Sequence, residues 1–107
     1  MAVIGGTLTL APTAGATVTL TINATMPRLL AQWTAGEAET VEISGTPSDN
    51  QELVCLLLND GVVPRTITFG TGCAPSATVI GTVNKRAMVS FRAYGGTFYE
   101  RARTLAL

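Results

Sequence analysis

The chain contains no histidine. That removes the commonest general base, the Ser-His-Asp and Cys-His nucleophile systems, and the most frequent metal ligand in one stroke. Charge is sparse as well: charged residues make up 13% of the 107 positions, and seven Lys plus Arg balance seven Asp plus Glu. No net field pulls the molecule towards polyanions or membranes, which argues against nucleic acid as a partner. Two cysteines, Cys55 and Cys73, do not make a disulfide framework, and two reduced thiols in a chain made in a cytoplasm are expected. No segment approaches the length of a membrane span. The start, Met1 to Gly6, has neither the basic region nor the apolar stretch of a secretory signal, so the expectation is a complete, soluble chain.

What is abundant is Thr, Ala, Gly and Val, a composition for strands and tight turns. The longest apolar stretch is Leu53–Leu58, closed by Asn50-Gln51-Glu52 before and Asn59-Asp60-Gly61 after. A strand alternates its side chains between two faces, so six apolar residues with no polar beat predict a central strand covered on both sides. Arg65–Phe69 is expected as its hairpin partner or near neighbour.

Elsewhere the period-two pattern marks further strands. Thr7–Leu10 puts Leu8 and Leu10 on one face, and Thr17–Ile22 turns Val18, Leu20 and Ile22 inward. Met26–Trp33 reads as extended in preference to a helical turn begun by Pro27, with Trp33 a core anchor. A turn at Thr34-Ala35-Gly36 leads to Glu39–Ser44, with Val41 and Ile43 inward, and Gly45–Gln51 is a loop. Pro64 has no N–H for a ladder, so the next strand begins at Arg65 and carries Ile67 and Phe69 inward. Gly70–Pro75 is a loop, Ala77–Thr82 a short strand, and Arg86–Arg92 a strand with Ala87, Val89 and Phe91 on one face. Gly95-Gly96 signals a tight hairpin into Thr97–Arg103, with Phe91 and Phe98 on a shared face.

Eight or nine short strands at this spacing predict an all-β, single-domain antiparallel β-sandwich or jelly-roll-like barrel over residues 1–107. Residues 1–10 would be a docking arm or edge strand. No internal repeat is evident.

Asn59-Asp60-Gly61, Arg65-Thr66-Ile67-Thr68-Phe69-Gly70-Thr71-Gly72, Gly81-Thr82, Val89-Ser90-Phe91 and Gly95-Gly96-Thr97-Phe98-Tyr99-Glu100 together resemble a small β-rich virion module of tailed bacteriophages. The resemblance covers roughly residues 50–104 and departs at Cys73, where an aromatic is usual, and at Gly95, where Asp is commoner. It implies a capsid decoration protein, a head fibre or a tail fibre. Because a chain of this size is little more than one module, a capsid decoration (cement) protein is the leading expectation. Its partners would be the major capsid protein and copies of itself, plausibly as a homotrimer, and its location the virion surface. A tail-tip or fibre module that binds carbohydrate, and a small carboxylate hydrolase, are the competing expectations.

Candidate chemistry is thin, and no cofactor, metal or catalytic residue is expected. Glu37, Glu39 and Glu42 form the one acidic cluster and read as a solvated strand edge that blocks edge-to-edge pairing. Gly70-Thr71-Gly72 lacks the Lys and helix of a phosphate loop and reads as a turn. Asn23-Ala24-Thr25 fits a glycosylation pattern by chance. The candidate contact surface is Tyr99 with Arg92, Arg101 and Arg103, residue types enriched at interfaces. Ile4 and Leu8 of the N-terminal arm would add contacts by strand addition.

Overall fold

Threonine–aliphatic alternation gives each strand one wet and one dry face, and the dry faces must meet. In the computed structural model, which describes residues 7–61, 63–74 and 78–107, they do so as two stacked sheets with no helix between them. The strands are β1 (Thr7–Leu10), β2 (Thr17–Thr21), β3 (Arg28–Ala35), β4 (Glu39–Ser44), β5 (Glu52–Asn59), β6 (Thr66–Phe69), β7 (Cys73–Ala74), β8 (Val79–Ile80), β9 (Arg86–Tyr94) and β10 (Thr97–Thr104). One sheet has the order β1-β3-β5-β9-β10-β7 and the other β2-β4-β6-β8.

The first six strands alternate between the sheets, and each of the first four pairs in parallel with the strand one coil later: β1 with β3, β3 with β5, β2 with β4, β4 with β6. This is a flattened β-solenoid. The antiparallel sandwich or jelly roll expected from strand number and spacing is therefore corrected. Alternation reports which face is buried but not which way the chain runs, and the turn-rich connections here carry the chain across to the opposite sheet instead of reversing it in plane. Antiparallel pairing is confined to the later part, where β9 runs against β5, β10 against β9, and β8 against β6.

The same connectivity corrects the relation of β5 to β6. They lie in different sheets, so β6 is not the hairpin partner of β5. The side chain of Asn59, almost fully buried, holds the crossing. Its Nδ2 donates to the carbonyls of Asp60 and Val63, both at 2.9 Å, and its Oδ1 accepts from the Arg65 amide at 2.7 Å.

In-register coils stack like on like. Leu8, Leu29, Leu53 and Phe91 form one inward row; Leu10, Ala31, Cys55 and Val89 form the next. Val18, Val41 and Phe69 line up on the facing sheet. The sheets lock where the Phe69 and Phe91 rings meet at 5.0 Å between centroids. Each fully buried aliphatic side chain contributes about 1.5–3 kcal/mol relative to exposure.

Most local expectations hold. Trp33 is extended and buried, the alternating residues of β2, β4, β6 and β9 face inward, and Phe98 is buried on the face of Phe91. Gly95 and Gly96 make a two-residue hairpin turn, both at positive φ (59° and 84°), between the paired Tyr94 and Thr97. Three local readings are corrected. Thr34 and Ala35 belong to β3 and not to a turn, because the parallel partner continues as far as Asn59. Cys73 and Ala74, read as loop, pair in parallel with Phe98 and Tyr99. The run Leu53–Leu58 is covered on one side only: Leu53, Cys55 and Leu57 are buried, whereas Val54, Leu56 and Leu58 are half-buried on the outer face. The short strand read at Ala77–Thr82 is present as Val79–Ile80, with Ala77 outside the described residues.

Candidate interaction surface

The outer face of the six-stranded sheet follows from the register. Rows cross the sheet as Leu30, Val54, Ser90; then Gln32, Leu56, Met88; then Thr34, Leu58, Arg86. Leu30, Val54, Leu56 and Leu58 are half-buried and Met88 is exposed, an apolar band that no other element among the described residues covers. Charge closes one end of it. Arg28 stands against Glu52, Glu52 against Arg92, and Arg92 against Tyr99. The Arg28 Nε donates to Glu52 Oε1 at 2.5 Å. A depression of about 450 Å³ lies where the charged row meets the apolar band, lined by Thr7, Arg28, Leu30, Glu52, Val54, Met88 and Ser90.

Two of the four residues of the arginine–tyrosine cluster share this face. Arg92 and Tyr99 are directly opposite each other, Tyr99 is exposed, and the Arg92 Nε is shut off from solvent with no hydrogen-bond partner. Arg101 is exposed at a β-bulge between Glu100 and Ala102. That bulge removes Arg103 from the cluster. One extra residue reverses the alternation, so Arg103 pairs opposite inward-facing Val89 and not on the outer face. Its guanidinium makes two bonds to Glu100, at 2.8 and 2.6 Å, and donates to the Thr78 carbonyl at 3.1 Å. The Glu100 carboxylate raises the Arg103 pKa further. Arg103 is thus a structural tie. Leu8 is half-buried against the core, and Ile4 lies outside the described residues.

The acidic cluster is corrected at one residue: Glu37 and Glu42 are exposed, as a solvated edge requires. Glu39 is not solvated: it points inward beside Val41, 3% exposed. Its Oε1 accepts from the Trp33 indole Nε1 at 2.7 Å and its Oε2 from the Gly15 amide at 3.3 Å. Burial raises its pKa above the usual carboxylate value, and the two hydrogen bonds oppose that shift. It is a clamp between the first coil and the second. The signal was there in sequence, since Glu39 shares the parity of Val41 and Ile43. Gln51, also missed, has the same character: its Nε2 donates to the carbonyls of Asn23 and Met26, both at 2.7 Å.

Cys55 and Cys73 are free thiols, as expected. Burial pushes both up, Cys73 to about 12. The Asn23 side chain is occupied within its own turn, accepting from the Thr25 amide and hydroxyl. Among the described residues no group of three or more Cys, Asp or Glu is arranged to hold a metal ion, and no helix is long and apolar enough to cross a membrane.

The geometry defines a small β-solenoid with a half-covered apolar face bordered by charge. In comparisons with known proteins, no family model, curated protein or solved structure matches the chain.

Proposed function

We propose that this protein is a non-enzymatic virion structural protein of a tailed bacteriophage, a decoration protein that docks on the major capsid protein from the outside. The sequence resemblance over residues 50–104 supplies the setting. The observation that carries the docking mode is the uncovered band Leu30–Val54–Leu56–Leu58–Met88, closed at one end by Arg28, Glu52 and Arg92. An apolar centre with a charged, hydrogen-bonding margin is the anatomy of a protein–protein contact, and Arg92 and Tyr99 extend that margin.

The test is imaging and binding together. Cryo-electron microscopy of virions carrying the protein should show it as regular density over the capsid lattice. Leu56→Lys should abolish binding to empty shells while leaving the circular dichroism spectrum unchanged. Density at the tail alone, or undiminished shell binding by the variant, would reject the proposal.

A second reading, a tail-tip or fibre module that binds carbohydrate, is favoured by the parallel coil itself. Stacked parallel coils can extend a shaft without limit, which a closed sandwich cannot. It predicts density at the tail and saturable glycan binding.

A further inference from the structure

We infer that the open end of the solenoid is a self-association edge: β1 and β2 of one chain pair antiparallel with β1 and β2 of a second copy, across a two-fold axis normal to the sheets. The inference is independent of the virion setting.

The two ends of the stack differ. At the far end the edge strands are β7 and β8, each only two residues long, and the Arg103 guanidinium is bonded across to the Thr78 carbonyl beside β8. Very short strands and charged side chains are how proteins blunt a sheet edge. At the near end the edges are β1 and β2, four and five residues long, pleated regularly and without proline. Among the described residues each has a neighbour on one side only, so every second amide and carbonyl along it is left facing outward.

The chemistry of that end is equally distinct. No Asp, Glu, Lys or Arg stands before Arg28; all seven acids and seven bases come from that point on. The first coil is therefore uncharged throughout, in a chain whose remaining coils are not. Leu8 and Leu10 are only half-buried where their stacked equivalents Leu29 and Ala31 are fully buried, and among the described residues no coil lies beneath them. A depression of about 250 Å³ opens there, bounded by Thr9 to Pro12 on one side and Thr19 to Thr21 on the other.

These features select a second copy as the occupant. A two-fold contact sets each surface against itself, so any charge near the axis meets its own like. An uncharged edge escapes this repulsion, and the one uncharged coil is the one with the open edges. The axis normal to the sheets reverses strand direction, places β1 on β1 and β2 on β2, and joins both sheets across the dimer in one step. It leaves only the blunted strands as edges, so association stops at two.

Sedimentation equilibrium on the full chain tests this. The wild type should weigh twice 11.1 kDa. Thr9→Lys with Thr19→Lys, at exposed outer positions of the two edge strands, should weigh 11.1 kDa with an unchanged circular dichroism spectrum. Mixing that variant with Thr9→Glu/Thr19→Glu should restore the doubled mass, which a merely misfolded variant could not do. A monomeric wild type overturns the inference, as does a lysine variant that stays dimeric, a charge-swapped mixture that stays monomeric, or a wild-type mass of three chains.

Discussion

The Trp33 indole donates a 2.7 Å hydrogen bond to the carboxylate of Glu39, six residues on and in the opposite sheet. The bond spans the turn between β3 and β4, and the same carboxylate reaches back to the Gly15 amide. Burial raises the Glu39 pKa above its ordinary 4.5, so the folded state holds that proton more tightly than the unfolded chain. The Glu39 contribution to stability is therefore greatest below pH 4.5 and falls as pH rises through the raised folded value. Urea denaturation followed by Trp33 fluorescence should show wild type gaining on Glu39→Gln as pH is lowered from 7 to 4.5. Glu39→Ala, which strands the indole N–H, should cost about 1–3 kcal/mol at pH 7.

Gly81 has no room for a side chain. A Cβ there would stand 2.5 Å from Asn59 Oδ1 and 3.0 Å from Asn59 Cβ. Gly81→Ala must displace the buried amide that holds the β5–β6 crossing. A loss on the order of 2–4 kcal/mol is expected, comparable to Asn59→Ala, which leaves the Arg65 amide and two carbonyls unpaired. Because both substitutions break one network, the double variant should lose less than their sum by denaturant titration.

The two faces of β5 should respond unequally to truncation. Leu53→Ala empties a fully buried site stacked between Leu29 and Phe91 and should cost about 2–5 kcal/mol. Leu56→Ala, on the half-covered outer face, should cost less than about 1.5 kcal/mol in the isolated chain. Equal losses in thermal denaturation would mean that the outer face is covered in the free protein.

Both thiols should be slow. With Cys73 pushed up to about 12 and Cys55 fully buried, almost no thiolate is available at pH 8. Ellman's reagent should release little colour from the native protein and two equivalents in denaturant. In limiting denaturant the half-buried Cys73 should react before Cys55.

How far the sequence could be read depended on the kind of information each residue carries. Alternation located β2, β4, β6 and β9 and the residues that face inward, because burial of one face has a period of two whichever way neighbouring strands run. Direction has no such period. Asn59-Asp60-Gly61 is as good a turn for a hairpin as for a crossing, and what decides it, the Asn59 side chain reaching Val63 and Arg65, is a tertiary fact. The coils escaped notice as repeats because their steps are unequal: Thr7 stands against Arg28 and Arg28 against Glu52 across loops of different length. In the candidate surface, Arg92 and Tyr99 were placed correctly by parity. Arg103 was not, since a bulge at Arg101 leaves no mark in composition.

The mixed pairing of the six-stranded sheet has a consequence for how the chain assembles. The Gly95-Gly96 hairpin closes between neighbours in sequence, whereas every parallel rung must first bring together segments separated by an entire loop of chain. Local closure is fast and distant closure slow. Order in this sheet should therefore begin at the β9–β10 hairpin, and the β5–β9 pairing, which closes the longest stretch of chain, should come after the β1–β3 and β3–β5 rungs. A ribosome delivers that hairpin after the parallel strands, so the fastest-closing pair of the sheet is synthesised later than the stack it must join.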